Sequence, residues 1–566
     1  MRFSRRATLV IGVAAIAGAA SLSAGLSPTQ EMPLPTTSPS AEQPAADDPV
    51  NGRTRWLRSA CALPPEYLRR TIRGYYPGRS PELTYVAKAP HFFGNFKDTT
   101  THSGPWPYVQ RVPLVLYGPG YVPAKGTVQV DGEVTVADLA PTFAELLRTP
   151  FPDRRPGRVL DSALLPRNER ATQKPRLLMT VVWDGGGWNT LDEWPETWPN
   201  LQRLIDGGVS IENATVGSSP SVTPAIHTTM GTGTFPSSHG IVSIPHREDG
   251  SIKASWAGHS PHNLLVRALA DLYDPRTRNR AKVGLLADKD WHLGMIGHGG
   301  YIDGGDRDIA VLTGYNPFET NSNYYYLPPY MQNVPGFKAD AKAIDPSDGD
   351  NDGKWFGRSL PKHRGEGHAS PAWTLYQMRL LRKLLGTEGF GKDRVPDLFY
   401  TNFKQIDAVS HVYFAQSPQM EATIPYSDRA LAGLVRWMDN NVGKQRWVLA
   451  LTADHGTGPK FETVGAWPID MEQLQLDVAV RFGVRITDLF DSQRPQGFWL
   501  DRGTMKREGI TMADISNFLL DYKMRDNRAD GQQVPAGYEA RMDENLFAAA
   551  FPSHRVTRMS DCRDNT

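Results

Sequence analysis

Three apolar runs that each have an acidic residue just past them constrain this chain more than any other feature. Arg176 to Trp183 (RLLMTVVW) is unbroken and stops at Asp184, which is followed by Gly185, Gly186 and Gly187. Asp397 to Phe403 (DLFYTNF) runs toward Asp407, and Arg446 to Thr452 (RWVLALT) runs into Asp454 and His455. Strands covered on both faces of a parallel sheet read as continuous apolar runs. In open α/β sheets, ligand sites lie just past the C-terminal strand ends. The expected fold is therefore α/β, with a mainly parallel sheet, helices on both faces and a site where the three strand ends meet. Ahead of these runs, Val112 to Tyr117 reads as a further strand and Val136 to Leu147 as a helix.

Composition bounds the rest. A chain of 566 residues with 40% hydrophobic and 22% charged residues has enough core for one large α/β domain. A formal net charge of +1 creates no global field toward nucleic acid or anionic membranes, so no nucleic-acid partner is indicated. Met1 to Arg6 is a basic n-region, and Ala7 to Gly25 is an apolar run of small residues, so 1–26 reads as an export signal. Ser4-Arg5-Arg6 with Leu9 resembles a twin-arginine signal. The expected location is extracellular or in the cell envelope, with membrane anchoring only if the signal stays uncleaved. Residues 27–60 read as a disordered linker, since the Pro, Ser, Thr, Ala and Gln that dominate Ser27 to Asp48 show no periodicity. Cys61 and Cys562 are the only cysteines, too few for a zinc-thiolate site, and in an oxidising compartment they read as one disulfide.

Asp184, Asp407, His411, Asp454 and His455 offer the carboxylate and imidazole types that zinc and similar divalent ions accept. Taken singly, each has an ordinary structural explanation; their order and spacing give them weight. Here the chain resembles the nucleotide pyrophosphatase/phosphodiesterase branch of the alkaline phosphatase superfamily. Asp184 in VVWDGG resembles that family's first metal ligand, and Thr223 in SVTPAIHTTMGTGTFPSSHG resembles its nucleophile. Asp407 and His411 in DAVSH match a D-x-x-x-H pair, and Asp454-His455-Gly456 matches a DHG motif. The resemblance implies an alkaline-phosphatase-like three-layer sandwich that holds two divalent ions, zinc by ligand type. One ion would take Asp184, Thr223, Asp454 and His455, and the other Asp407, His411 and one further histidine. It implies a hydrolase of small phosphate esters, phosphodiesterase or pyrophosphatase, acting through a covalent phosphothreonine. Thr223 also reads as a helix N-cap ahead of Ala225 to Met230. The alternatives are a phosphomonoesterase, or a catalytically weak cell-surface binding protein that keeps the metal site.

The departures from the family pattern matter for substrate. Ile244 stands where phosphoryl-transfer members usually carry a phosphate-binding asparagine, which leaves Ser243 and His246 as nearby candidate donors. Lys289-Asp290-Trp291 keeps the lysine of a monoesterase K-x-R motif but has tryptophan for arginine. Lys289 and His246 are thus the expected substrate-binding residues, and a diester is the favoured substrate. A sulfatase is disfavoured because no C/S-x-P-x-R signature surrounds Thr223.

The order of the chain is the last anomaly. The family's final histidine normally follows the DHG motif, before a VPL strand, yet here only His554 follows, with no such strand. Thr101-His102-Ser103-Gly104, followed by RVPLVLYGPG and VADLAPTFAELL, resembles that C-terminal segment and lies ahead of Asp184. A circular permutation would account for this, joined through Asp153 to Lys174 and opened between Cys61 and Cys562. On this reading 61–165 is equivalent to the C-terminal part of the family's catalytic domain, 166–566 is its main part, and His102 completes the metal ligands.

Overall fold

The computed structural model describes residues 50–95, 99–362, 369–528 and 533–565. The expected export signal at 1–26 and the linker as far as residue 49 lie outside them. The end of the expected linker, Val50–Cys61, is instead a helix, α1. Trp56 and Ala60 on it are buried in an apolar cluster with residues near the C-terminus such as Phe551 and Val556. These apolar residues outweigh a composition averaged over the whole segment.

The site is carried by a nine-stranded sheet. With β1 as Leu83–Ala87 of a smaller sheet, its strands in chain order are β2 (Leu114–Tyr117), β3 (Gly126–Val128), β4 (Leu177–Trp183), β5 (Val209–Ile211), β6 (Val283–Ala287), β7 (Asp308–Leu312), β8 (Tyr325–Tyr326), β9 (Asp397–Phe403) and β10 (Trp447–Thr452). Their order in space is β8-β7-β6-β9-β4-β10-β2-β5-β3. From β8 to β10 all neighbours are parallel, whereas β2 runs antiparallel to both β10 and β5. The apolar runs read from sequence as β4, β9 and β10 form the buried centre of the sheet.

Alternation along the strands separates two cores. Leu178 and Val182 of β4 pack on one face with α2 (Leu139–Leu147) and α3 (Thr223–Thr232). Leu177, Met179, Val181 and Trp183 pack on the other with α4 (Ala372–Glu388), and α5 (Gln405–Tyr413) and α6 (Pro418–Met438) lie on that face too. Because successive side chains point to opposite faces, one unbroken apolar strand feeds both layers. The result is an alkaline-phosphatase-like three-layer α/β fold.

Beside it stands a four-stranded antiparallel sheet not anticipated from sequence, in which β1 lies between Gly497–Leu500 and Phe547–Pro552. The early segment is thereby paired with the last strand of the chain. The disulfide Cys61–Cys562 joins the same two ends across a sequence separation of 501 residues. Closing so long a loop removes much freedom from the unfolded chain. Replacing both cysteines by serine should lower stability by about 2–4 kcal/mol. A thermal melt under oxidising conditions checks this, with no change expected when the melt is run in reductant on the variant.

Candidate metal centre

Strand register explains why distant residues converge. β9 pairs with β4 from Asp397↔Leu177 to Phe403↔Trp183, and β10 pairs with β4 from Trp447↔Leu177 to Thr452↔Val182. Lys404 follows Phe403 as Asp184 follows Trp183, and Asp454 lies two residues past Thr452, level with Asp184. Three adjacent parallel strands thus deliver Asp184, Lys404 and Asp454 to one sheet edge. Asp407 sits in the first turn of α5, and His411, four residues on, shares its helix face. Gly185 makes the close approach feasible: its φ is +70°, and a Cβ there would lie 2.9 Å from the Cα of Asp407. Its amide donates to Asp454 Oδ1 at 3.1 Å.

Five imidazoles, those of His102, His227, His292, His411 and His455, surround these carboxylates. His102, from ahead of the sheet's first strand, stacks on His455 with ring centroids 3.4 Å apart. His102 Nε2 and His411 Nε2 lie 3.8 and 3.3 Å from the same atom, Asp407 Oδ1. His455 Nε2 is 3.3 Å from Asp454 Oδ2 and 3.5 Å from Asp184 Oδ1. His292 Nε2 is 3.7 Å from Asp184 Oδ2. The Nδ1 atoms of His102, His455 and His292 face the carbonyls of Ser221, Gly456 and Lys289 at 2.8, 3.0 and 2.7 Å. A carbonyl only accepts, so the rings of His102 and His455 donate from Nδ1 and, when neutral, carry the lone pair on Nε2, whereas His292 Nδ1 also faces the Lys289 N–H at 3.3 Å. Burial, together with the neighbouring imidazole in the case of His102, pushes His102 and His455 below the usual histidine range, which favours the neutral form.

Lone pairs on Nε2 therefore face carboxylate oxygens, acceptor against acceptor. Asp407 Oδ1, Asp454 Oδ2, His455 Nε2 and His292 Nε2 are all buried without a hydrogen-bond partner among the described residues. Buried polar atoms are normally satisfied, and divalent ions satisfy this combination of nitrogen and oxygen donors. The residues fit two ions. His102, Asp407 and His411 offer one set of donor atoms within 4.8 Å of one another, and Asp184, Asp454 and His455 offer a second. Asp184, His227 and His292 also meet that distance. His227 is already satisfied, however: its Nδ1 donates to the Thr223 carbonyl at 2.8 Å, and its Nε2 accepts from Asn402 Nδ2 at 3.1 Å.

Sequence reasoning missed Lys404, Asn402 and His292. Lys404 Nζ lies 2.9 Å from Asp184 Oδ1 and 2.7 Å from Asp407 Oδ2, with only 12% of its side chain exposed. Burial alone would raise both of these carboxyls, but the Lys404 ammonium beside them outweighs it and holds them well below the usual carboxylate range. Asp454 goes the other way, pushed well up by burial and by the Asp184 charge. The position of Lys404, one residue past a strand, was the available signal, but a lysine there ordinarily reads as solvated. His292 is the residue directly after Lys289-Asp290-Trp291, and Gly231 and Gly294 let its segment press against α3.

The remaining expected residues distribute as follows. Thr223 is the first residue of α3, and the N-cap is the extended Val222, not Thr223. Its hydroxyl makes no hydrogen bond among the described residues, while its carbonyl holds His227. Lys289 does not reach the carboxylates: its ammonium donates to the Gly314 carbonyl at 3.1 Å and lies 4.6 Å from the Tyr315 ring centroid. His246 packs inside a hairpin against Ser255 Oγ at 3.0 Å, and burial pushes it down to about 4. Ser243 Oγ accepts from Gln496 at 3.1 Å. His554, the rival final ligand, is exposed on the C-terminal segment, whereas His102 lies in the cluster.

The chain belongs to the type I phosphodiesterase / nucleotide pyrophosphatase family, whose profile matches residues 178–474, and so to the alkaline phosphatase superfamily. Among curated relatives, alkaline phosphatase PhoV of Synechococcus elongatus is 25% identical over 329 residues, 50% of this chain and 59% of that protein. Alkaline phosphatase PafA of Elizabethkingia meningoseptica is 24% identical over 346 residues, 53% of this chain and 63% of that protein. A protein of Myroides odoratus named calcium-transporting ATPase is 24% identical over 340 residues, 51% of this chain and 61% of that protein. The matched region thus spans between 59% and 63% of these relatives' length. The crystal structure of wild-type PafA shares the fold, with a TM-score of 0.51 at 18% identity over 68% of this chain and 85% of that one.

Gly185 provides a test of how tightly the centre is built. Gly185→Ala forces an L residue into positive φ against Asp407 and should cost about 1–3 kcal/mol of stability. Urea denaturation of the metal-free protein measures it, and a cost well below that would show that the loop relaxes freely.

Proposed function

We propose that this chain is an exported, metal-dependent hydrolase of phosphate esters, most simply a phosphodiesterase or nucleotide pyrophosphatase that works through a phosphothreonine on Thr223. The observation that carries the reading is the pair of neighbouring donor sets at the ends of parallel strands, one fully buried and the other with His102 and His411 partly exposed. His102, Asp407 and His411 would hold one divalent ion; Asp184, Asp454 and His455, with the Thr223 hydroxyl, would hold the other. Zinc suits both sets. Bound there, the ions supply Lewis-acid stabilisation of the attacking and leaving oxygens.

The chain's own groups define the rest of the mechanism. The Thr223 hydroxyl, free of hydrogen-bond partners among the described residues, would give up its proton and attack phosphorus as the bond to the leaving group breaks. Water then cleaves the phosphothreonine. The N-terminus of α3 favours the anionic substrate at that position. Lys289 is engaged with Gly314 and Tyr315, and Ile244 has no donor to offer. A site with few charged donors toward the phosphate suits the monoanion of a diester better than the dianion of a monoester. Phosphomonoesterase remains the second reading, favoured by the likeness to PhoV and PafA.

Two further parts of the proposal concern the chain as a whole. The family profile begins at residue 178, yet His102 and β2 come from the earlier segment; a circularly permuted catalytic domain, with 61–165 standing in for the family's C-terminal part, accounts for this. Export is supported by the disulfide, since such bonds persist in oxidising compartments. Among the described residues no helix is long and apolar enough to cross a membrane.

Thr223→Ala should lower kcat by more than about tenfold, a loss above ~1.4 kcal/mol, while circular dichroism and bound metal stay near wild type. Retention of most of the rate would exclude Thr223 as the nucleophile. Chelator-treated protein should be inactive toward aryl phosphate esters and recover with zinc, and an aryl diester should be turned over faster than the monoester. A faster monoester would favour the second reading, and undiminished turnover without metal would exclude the metal-dependent one.

A further inference from the structure

Lys404 occupies a position that the two-ion reading leaves unexplained. Its ammonium contacts one oxygen of each of two ligand carboxylates, at 2.9 Å from Asp184 Oδ1 and 2.7 Å from Asp407 Oδ2. The two contacts are not equivalent. On Asp407 the lysine takes Oδ2 and leaves Oδ1, the atom that faces His102 and His411 at 3.8 and 3.3 Å. On Asp184 it takes Oδ1, the atom that also faces His455 Nε2 at 3.5 Å. The other Asp184 oxygen already accepts from Asn402 Nδ2 at 3.0 Å.

An ion among His102, Asp407 Oδ1 and His411 therefore binds without competing for an oxygen with Lys404. An ion among Asp184, Asp454 and His455 must share Asp184 Oδ1 with an ammonium a hydrogen bond away, or displace it. In a buried setting, like charges at such separations repel strongly. When neither ion is bound, the same ammonium is the cation placed among three buried carboxylates, Asp184, Asp407 and Asp454, all of which act on it.

We propose that Lys404 is a built-in counter-cation that makes the two metal positions unequal. It leaves the His102–Asp407–His411 position tight, and it weakens the Asp184–Asp454–His455 position, so that the second ion enters only as Lys404 gives up Asp184. The proposal rests on the metal-centre reading above and adds an order of filling to it. Lys404 is a positioning residue in this scheme, since it acts on the ions through their ligands.

The test is a zinc titration of chelator-treated full-length protein, followed by competition calorimetry and elemental analysis. Wild type should bind two zinc ions with dissociation constants separated by at least about tenfold. Lys404→Met, which keeps the stem length and removes the charge, should bind the weaker ion at least about tenfold more tightly and narrow the separation. A lysine with a purely structural role would not raise affinity when removed. An unchanged or weakened second site in Lys404→Met would overturn the proposal. Should that variant fail to fold, the wild-type titration still decides, because two ions of equal affinity would overturn it as well. Equal affinities would leave the two-ion reading standing, whereas wild type that binds no zinc would overturn both.

Discussion

The structure depends on holding three buried carboxylates side by side at the end of a parallel sheet. Asp184, Asp407 and Asp454 are each at most 1% exposed. Two unit charges 3 Å apart repel by about 5 kcal/mol even at an effective dielectric of 20. No fold retains such a cluster unless cations offset it. Lys404 offsets part of the charge within the protein itself, and the neutral imidazoles of His102 and His455 face the remaining oxygens with lone pairs instead of protons. The backbone carbonyls of Ser221 and Gly456 set this polarity by claiming each Nδ1–H. Main-chain hydrogen bonds one step removed from the centre thus decide which ring nitrogen is offered to an ion.

The same demand explains why the surrounding chain is so glycine-rich and so tightly packed. Asp184 and Asp407 approach closely only because residue 185 lacks a side chain. Asp454 lies within reach because Gly456 sits under the Tyr108 carbonyl, where a Cβ would come within 2.1 Å. His102 must be held too, although it belongs to a segment far from the central strands in sequence. It is anchored through Ser221, whose hydroxyl donates to the His102 carbonyl at 2.6 Å. On one side of it β1 is embedded in the four-stranded sheet, and on the other β2 is embedded in the nine-stranded one. The Cys61–Cys562 disulfide and the β1 pairing fasten the early segment to the end of the chain, and so keep the His102 imidazole beside carboxylates that the linear order would otherwise leave distant.

Much of the fold and most of the donor set were legible in the sequence, and the reason is local. β4, β9 and β10 are strands buried on both faces, and that environment writes itself as unbroken apolar runs; their acidic punctuation marks the strand ends, so Asp184, Asp407, His411, Asp454 and His455 are visible as candidates. The type of a residue and its place past a strand are properties of a short stretch, and so was the histidine of Thr101-His102-Ser103. Side-chain direction was not legible. Lys289 and His246 stand at suggestive spacings but point to Gly314 and Ser255, because each finds a polar partner in a neighbouring turn of chain before it can reach the centre. The four-stranded sheet and helix α1 escaped notice because their strands and apolar faces are short and are completed by partners from opposite ends of the chain.

Sequence by itself determined the fold class, the buried strands and the chemical types gathered at their ends, since burial periodicity and residue chemistry are written locally. Tertiary structure alone decided that Lys404 lies between Asp184 and Asp407, that His292 and not Lys289 turns toward the carboxylates, and that His102 and not His554 completes the cluster. Those outcomes depend on strand register, on the packing of the His292 segment against α3 and on the closing of the chain's two ends, all of which are set by contacts between residues far apart in sequence.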